Sequence, residues 1–177
     1  SKYKIKKPYF IYVGNAYPHK NLERLFEAIL MLNRNRKEKV LLVLASSRNI
    51  FTQKLSKLIN SLKAEELIKL IGFITDSELE VLLTNSCAFV YPSLSEGFGL
   101  QGLEAIAAGT LVLASEIPVF KEVYEDNVMY FNPYDSKSMA SVMRGALEMN
   151  KDLREKFIKK GQKFIKHYSW PQMAKET

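Results

Sequence analysis

The sequence predicts a doubly wound α/β domain, in which a parallel sheet of about six strands carries helices on both faces. The predicted strands are short and apolar throughout, so both faces of each strand are expected to be buried. Segments with a helical spacing of apolar residues alternate with them along the chain. Polar stretches follow the strand ends. The 177 residues suffice for one domain with a sizeable core, and residues 1–177 are predicted to form a single domain.

The strands are predicted from short apolar runs that end at a glycine or a polar residue. They are the segments 8–14, 39–45, 67–73, 87–91, 110–114 and 127–131. The helices are predicted from apolar residues that recur every three or four positions. They are the segments 21–34, 51–63, 75–85, 99–108, 118–124, 136–148 and 151–168. Asn21 is predicted to cap the first helix, and Thr75 or Asp76, ahead of Glu78, to cap the third.

The composition restricts the function only loosely. The formal net charge of +7 suits a negatively charged partner, which could be a small anion, a nucleic acid or an acidic membrane surface. No basic helix is interleaved with aromatic residues in a recognition pattern, and the positive charge is spread along the chain, so nucleic-acid binding is not predicted. Cys87 is the only cysteine, which excludes an internal disulfide and fits a cytoplasmic location. No apolar run reaches the ~18 residues of a membrane-spanning helix.

Polar loops follow five of the predicted strands. In a doubly wound sheet, ligands bind beyond the carboxyl ends of the strands, where such loops converge. The polar stretches are residues 14–21, 46–49, 72–75, 92–99 and 115–116. We therefore expect a binding site at this rim of the sheet.

The stretch SEGFGLQGLEA, residues 95–105, carries the most specific signal for a ligand. Gly97 and Gly99 have no Cβ, so the backbone can approach a ligand closely. The helix that starts at about Gly99 presents unpaired amides and the positive end of its dipole, an arrangement that binds phosphate.

Two carboxylates bracket this loop. Glu96 would repel a phosphate in the same place, so hydroxyl groups are the natural partner of its acceptor oxygens. Glu104 lies roughly 7 Å farther along the helix, at ~1.5 Å per residue, which is about the distance from a diphosphate to a ribose diol. The pattern predicts a ligand with a hydroxylated group, a diphosphate and a ribose, as in a nucleotide sugar.

The same stretch leaves an alternative open. Residues 97–102 match G-x-G-x-x-G, and Glu116 follows the next strand where a ribose-binding acid is expected, as in an NAD-binding dehydrogenase domain. Against this, the fingerprint usually follows its strand at once and opens the fold, whereas residues 92–96 intervene here and three strand–helix units precede it. A catalytically silent nucleotide-binding subunit is a further alternative.

Four segments resemble the C-terminal domain of retaining glycosyltransferase family 4, also called group 1, of the GT-B fold. PSLSEGFGLQGLEAIAAGTLVLAS, residues 92–115, is similar to the family's C-terminal signature. YVGNAYPHKNLERLFEAI resembles its first strand and loop, IGFITDSELEVLLTNSCAFVYPS its middle segment, and YFNPYDSKSMASVM its last. The resemblance implies a Rossmann-like half of a GT-B enzyme that uses a nucleoside-diphosphate sugar.

The resemblance also implies roles for individual residues. Lys20 would neutralise the diphosphate and Glu96 would hold hydroxyls of the donor sugar, so these two are the expected catalytic residues. Glu104 would hold the ribose hydroxyls. The remaining donor-binding residues are Gly14, Asn15, Phe73, Ile74, Gly97, Phe98, Gly99 and Leu100. Asn15 stands where many family members have an arginine.

The expected roles divide among the loops. Phe73 and Ile74 would border the base, and residues 97–100 would present backbone amides to the sugar and diphosphate. No D-x-D motif occurs, and neither a metal nor a cofactor is expected. The sequence does not identify the nucleotide base, the donor sugar or the acceptor.

A GT-B enzyme has two such domains, with the active site between them. The resemblance therefore implies that this chain is the donor-binding C-terminal half and lacks the N-terminal acceptor domain, so that alone it binds nucleotide but transfers little. The expected partners are the sugar nucleotide and that N-terminal domain. The expected setting is polysaccharide biosynthesis in the cytoplasm. The full-length enzyme could also associate peripherally with the inner face of the membrane.

Overall fold

The computed structural model describes residues 2, 3, 5 and 8–167. Within these residues the strands are β1 (Tyr9–Val13), β2 (Leu41–Ala45), β3 (Ile68–Gly72), β4 (Ala88–Tyr91), β5 (Val112–Ser115) and β6 (Met129–Phe131). The α-helices are α1 (Leu22–Asn33), α2 (Ile50–Ser61), α3 (Asp76–Thr84), α4 (Leu100–Ala107), α5 (Pro118–Tyr124), α6 (Ser136–Glu148) and α7 (Lys151–Phe164). Short 3₁₀ turns cover Pro18–Lys20 and Ile165–His167. The predicted elements are all present, with ends that shift by a few residues.

The strand order, which the sequence leaves open, is β3-β2-β1-β4-β5-β6, and all pairs are parallel. The chain starts in the middle of the sheet, runs to one edge, and returns past β1 to the other edge. The connection after β1 crosses one face of the sheet, and the connection after β4 crosses the other face. This leaves a crevice at the carboxyl ends of β1 and β4, which is where ligands bind in such sheets.

Two apolar layers cover the sheet. One buried cluster includes residues of α1, α2 and α6, and the other includes residues of α3, α4 and α5. Along β1, Phe10 and Tyr12 belong to the first cluster, and Tyr9 and Ile11 to the second. Burial of alternate side chains on both faces confirms the predicted doubly wound α/β fold.

Both predicted N-cap residues occupy the N-cap position, but only one of them caps its helix through its side chain. Thr75 caps α3 in a capping box with Glu78. Asn21 occupies the N-cap position of α1 in a left-handed conformation, with a φ of 58°, and its side chain makes no capping bond. Its buried side-chain amide instead donates to the carbonyl oxygens of Pro92, at 3.0 Å, and Pro133, at 2.8 Å. The demand for buried hydrogen bonds between loops outweighs the local capping preference.

The last predicted helix is shorter than expected. It ends at Phe164, and a 3₁₀ turn follows. Position 168, the predicted end, lies outside the described residues. Among the described residues, no helix combines the length and the apolar character needed to cross a membrane.

Candidate functional site

The loops that follow β1 and β4 are joined at the carboxyl ends of the sheet. The Leu94 amide donates to the His19 carbonyl oxygen at 2.8 Å. The Asn21 side-chain amide donates to the Pro92 carbonyl oxygen at 3.0 Å. Two of the loops predicted to converge are therefore in direct contact.

Lys20 and Glu96, the two residues with expected catalytic roles, form an ion pair at this junction. Lys20 Nζ lies 2.5 Å from Glu96 Oε1, and the two side chains are 9% and 11% exposed. The fully buried Ser93 donates its hydroxyl to the same carboxylate oxygen at 2.6 Å. Because water is largely excluded, loss of either charge would leave the other without adequate compensation.

An aromatic ring lies beside this ion pair. Tyr91, the last residue of β4, is buried, and Lys20 Nζ lies 5.8 Å from its ring centroid. Burial, followed by the charge and hydrogen bonding of Glu96, raises the pKa of Tyr91. The phenol therefore keeps its proton at neutral pH.

The glycine-rich loop leads into the N-terminus of α4. Gly99 occupies the N-cap position with a φ of 92° and, being glycine, has no side chain to cap this helix. A Cβ at Gly99 would meet Phe120 Cε1 at 2.8 Å, so both the conformation and the space require glycine there. The neighbouring side chains of Phe98 and Leu100 are exposed.

Gly97 differs from Gly99. A Cβ at Gly97 would meet no atom of the described residues within 4 Å, and its φ lies outside the left-handed region. The fold itself gives no reason for glycine at this position. The open space beside its backbone is what close approach of a ligand would need.

Gly14 and Asn15 lie in the loop against the start of α4. Gly14 has a φ of +138°, and a Cβ there would lie 3.3 Å from the Gln101 side-chain nitrogen. The Tyr12 hydroxyl donates to the Asn15 carbonyl oxygen. The neutral Asn15 side chain is exposed at this rim, so the loop supplies backbone groups and an amide but no charge at this position.

Glu104, in contrast to the buried pair, is exposed on α4. Partial desolvation, followed by the nearby charge of Asp76, raises the pKa of Glu104. Asp76 begins α3, so Glu104 lies near the loop after β3. In that loop Phe73 is 76% exposed, whereas Ile74 packs against the second apolar cluster. The two glutamates thus have different surroundings, as two ends of one ligand would require.

Two features of the rim were not predicted from the sequence. Ser93 stands three residues before Glu96, and no sequence pattern points to its contact with that carboxylate. A cavity of about 330 Å³ between α2 and the end of β3 is lined by residues that include Ser46, Arg48 and Gly72. The Ser46 hydroxyl is buried and has no hydrogen-bond partner among the described residues. The polar residues 46–49, which follow a buried strand, are the part of the sequence that could indicate this cavity.

The third glycine of the dinucleotide-like pattern has a packing role. A Cβ at Gly102 would overlap the Tyr124 side chain, with Cζ at 2.5 Å. Glu116, the acid that would bind ribose in the dehydrogenase alternative, pairs with Lys121 at 2.5 Å in an exposed ion pair. Packing therefore accounts for the second and third glycines of the pattern, Gly99 and Gly102, without a dinucleotide. Among the described residues, no group of three His, Cys, Asp or Glu side chains is arranged to hold a metal ion.

The family model described as "Glycosyl transferases group 1" matches residues 1–164. This chain belongs to the group 1 glycosyltransferases. It is 33% identical over 144 residues to the O-antigen chain mannosyltransferase RfbU of Salmonella typhimurium, a match that covers 80% of this chain and 39% of that protein. It is 29% identical over 169 residues to the O-antigen chain mannosyltransferase B of Escherichia coli, covering 96% of this chain and 44% of that protein. The chain thus spans less than half the length of these two relatives.

Solved structures show the same fold. A glycosyltransferase from Rickettsia africae ESF-5 superposes with a TM-score of 0.84 at 20% identity, covering 97% of this chain and 46% of that one. The C-terminal domain of a group 1 family protein, LpcC from Francisella tularensis, superposes with a TM-score of 0.77 at 24% identity, covering 93% of this chain and 87% of that one. The group 1 chain therefore has the fold of one half of a GT-B glycosyltransferase.

Proposed function

We propose that this chain is the donor-binding domain of a retaining glycosyltransferase, in which it binds a nucleoside-diphosphate sugar. The observation that carries the proposal is the shielded ion pair of Lys20 and Glu96 at the crevice between β1 and β4. A buried cation next to a carboxylate, near a helix N-terminus whose N-cap residue is glycine, suits a ligand that joins a diphosphate to a polyhydroxylated sugar.

In the proposed mechanism, Lys20 and the free amides of α4 stabilise the charge that develops on the departing diphosphate. Lys20 thereby takes the part that a divalent cation would play, and no resident cofactor is proposed. Glu96 leaves Lys20, accepts hydrogen bonds from the sugar hydroxyls and orients the sugar as positive charge develops at its anomeric carbon. Ser93 and Tyr91 retain the carboxylate in place during this exchange.

The rest of the donor extends toward the loop after β3. Glu104 accepts hydrogen bonds from the ribose diol, whose two hydroxyls suit a carboxylate. Phe73 and Ile74 border the base. The amides of residues 97–100, with Gly14 and Asn15 across the crevice, contact the sugar and diphosphate.

The transferred group is proposed to be a hexose, and mannose is the first choice because two of the relatives are named mannosyltransferases. The acceptor would be bound by an N-terminal domain that completes the enzyme. Because the same relatives are named for the O-antigen chain, polysaccharide assembly at the cytoplasmic face of a membrane is the proposed setting. Peripheral association with that membrane belongs to the same proposal.

Calorimetry on this chain tests the proposal. UDP, GDP, ADP, NAD, UDP-glucose, GDP-mannose and ADP-glucose would be titrated in parallel, with a thermal shift as a second readout. A ligand at 100 times its dissociation constant should add about 2.7 kcal/mol to the free energy of unfolding. We expect one nucleoside diphosphate and its sugar derivative to bind. Binding of NAD alone, or of no nucleotide, would contradict the proposal.

A further inference from the structure

The Tyr124 side chain contacts the glycine-rich loop. It is the last residue of α5 and is fully buried. Its hydroxyl donates a hydrogen bond to the Gly99 carbonyl oxygen at 2.5 Å. The residue lies 25 positions beyond the loop in sequence, so no local pattern links the two.

Two glycines of the loop and helix make room for this side chain. A Cβ at Gly99 would overlap the Tyr124 hydroxyl, and a Cβ at Gly102 would overlap the hydroxyl and meet Cζ at 2.5 Å. The tip of the phenol therefore lies against the first turn of α4. One tyrosine side chain thus fills the space beside two glycines, which have no side chain of their own.

The hydrogen bond restrains the orientation of one peptide group. The Gly99 carbonyl oxygen also accepts from the Gly102 amide at 3.0 Å. Because a trans peptide is planar and its C=O and N–H point in opposite directions, holding this carbonyl directs the Leu100 N–H away from Tyr124. That direction is the open end of α4, where the unpaired amides of a helix are available to an anion.

Tyr124 is also linked to the ion pair through stacked rings. Its ring centroid lies 5.1 Å from that of Phe120, which lies 4.6 Å from that of Tyr91. Tyr91 in turn lies beside Lys20, with 5.8 Å between its ring centroid and Nζ. The helix N-terminus and the buried lysine therefore share one rigid aromatic support.

We propose that Tyr124 is a positioning residue for donor binding: by holding the Gly99 carbonyl, it aims the first free amides of α4 at the diphosphate. The inference rests on the proposed function, because it assumes that a diphosphate binds there. It assigns to Tyr124 no contact with the ligand.

The test compares Tyr124→Phe with Tyr9→Phe. Tyr9 is a suitable control because it is also buried and its hydroxyl donates to the Leu82 carbonyl oxygen at 2.7 Å, in the same apolar cluster. The probe is whichever of UDP, GDP and ADP binds the unaltered chain most tightly. We expect the dissociation constant to rise about five- to tenfold in Tyr124→Phe and to stay unchanged in Tyr9→Phe, as loss of one oriented hydrogen bond implies.

Hydrogen exchange of the ligand-free variants separates this inference from the proposed function. The Gly102 amide, which shares its acceptor with Tyr124, should exchange several times faster in Tyr124→Phe and at the original rate in Tyr9→Phe. If no nucleoside diphosphate binds the unaltered chain, the proposed function fails and the positioning role fails with it. If the unaltered chain binds but Tyr124→Phe keeps its affinity or its Gly102 exchange rate, only the inference is overturned.

Discussion

Lys20 Nζ and Glu96 Oε1 lie 2.5 Å apart although 76 positions separate them in the chain. In the proposed function, donor binding separates this pair, because Lys20 is proposed to hold the diphosphate and Glu96 the sugar. The ligand-free site is thus neutralised by its own residues. We therefore expect the pair to contribute both to stability and to ligand selection, and the two contributions can be measured separately.

Substitution of the buried cation should destabilise the domain. Lys20→Met leaves the Glu96 carboxylate shielded from water without its counter-charge, and we expect a loss of about 3 kcal/mol in the free energy of unfolding. Lys121→Met is the control, because its pair with Glu116 has side chains that are 52% and 51% exposed. Such exposed pairs contribute at most about 1 kcal/mol. Denaturant unfolding of both variants provides the comparison, and equal losses would argue against a buried role for the pair.

The two glutamates should differ in ligand selectivity. Glu104→Ala should weaken a nucleoside diphosphate and its sugar derivative alike, by at least about tenfold, because both ligands carry the ribose. Glu96→Gln should weaken only the sugar nucleotide, because the free diphosphate has no sugar and gains a Lys20 that no longer faces a carboxylate. Calorimetry with the two ligands on both variants measures this. If the variants show the same pattern, the separate assignments are wrong.

Gly97 should matter for binding but not for stability. A Cβ there would meet no atom of the described residues within 4 Å, so Gly97→Ala should leave the melting temperature unchanged. The same Cβ would project into the space proposed for the donor and should weaken the sugar nucleotide about tenfold, as steric exclusion of a close backbone contact implies. Melting curves and titrations of one preparation give both quantities. An unchanged affinity would mean that no ligand approaches this backbone.

Gly102 should matter for stability. Gly102→Ala forces a Cβ into the Tyr124 side chain, and overpacking of this kind costs about 1–3 kcal/mol. Gly145→Ala, within α6, is the matched control, because its Cβ would meet only Met129 at 3.7 Å. Alanine at an unobstructed helix position adds up to about 1 kcal/mol of stability. The two substitutions should therefore shift the unfolding midpoint in opposite directions, and parallel shifts would contradict the packing described here.

Lowering the pH should weaken donor binding. The loss should begin above the pH range in which an ordinary glutamate titrates. Partial desolvation and Asp76 raise the pKa of Glu104, and only its ionised form accepts hydrogen bonds from the ribose through both oxygens. The affinity should be full above the raised pKa and fall as the pH drops through it. A sugar nucleotide is the probe, because its bridged diphosphate has no terminal phosphate group that titrates near pH 6. Glu104→Gln should remove this dependence, and Asp76→Asn should move it to lower pH; a profile that neither variant changes would assign it to another group.

Local patterns determined much of this molecule. Short runs that are apolar throughout predicted the strands, because a strand covered on both faces buries every side chain. Apolar residues at helical spacing predicted the helices, because each helix buries one face on the sheet. The capping box at Thr75 was predictable for the same reason: its hydrogen bonds close within four residues. The position of the polar loops at one rim follows from the parallel alternation alone.

The tertiary structure decided what depends on residues distant in sequence. Asn21 fits a local capping pattern, yet its amide bonds to Pro92 and Pro133, because two loops that meet only in the folded sheet need a buried donor. Strand order, the ion pair of Lys20 with Glu96, and the fit of Tyr124 beneath Gly102 are likewise contacts between separate segments. The sequence by itself therefore determined the fold class and the residue types at the rim. Only folding decided which of those residues touch, because long-range contacts are selected by packing and by the satisfaction of buried polar groups, which have no periodic signature in the chain.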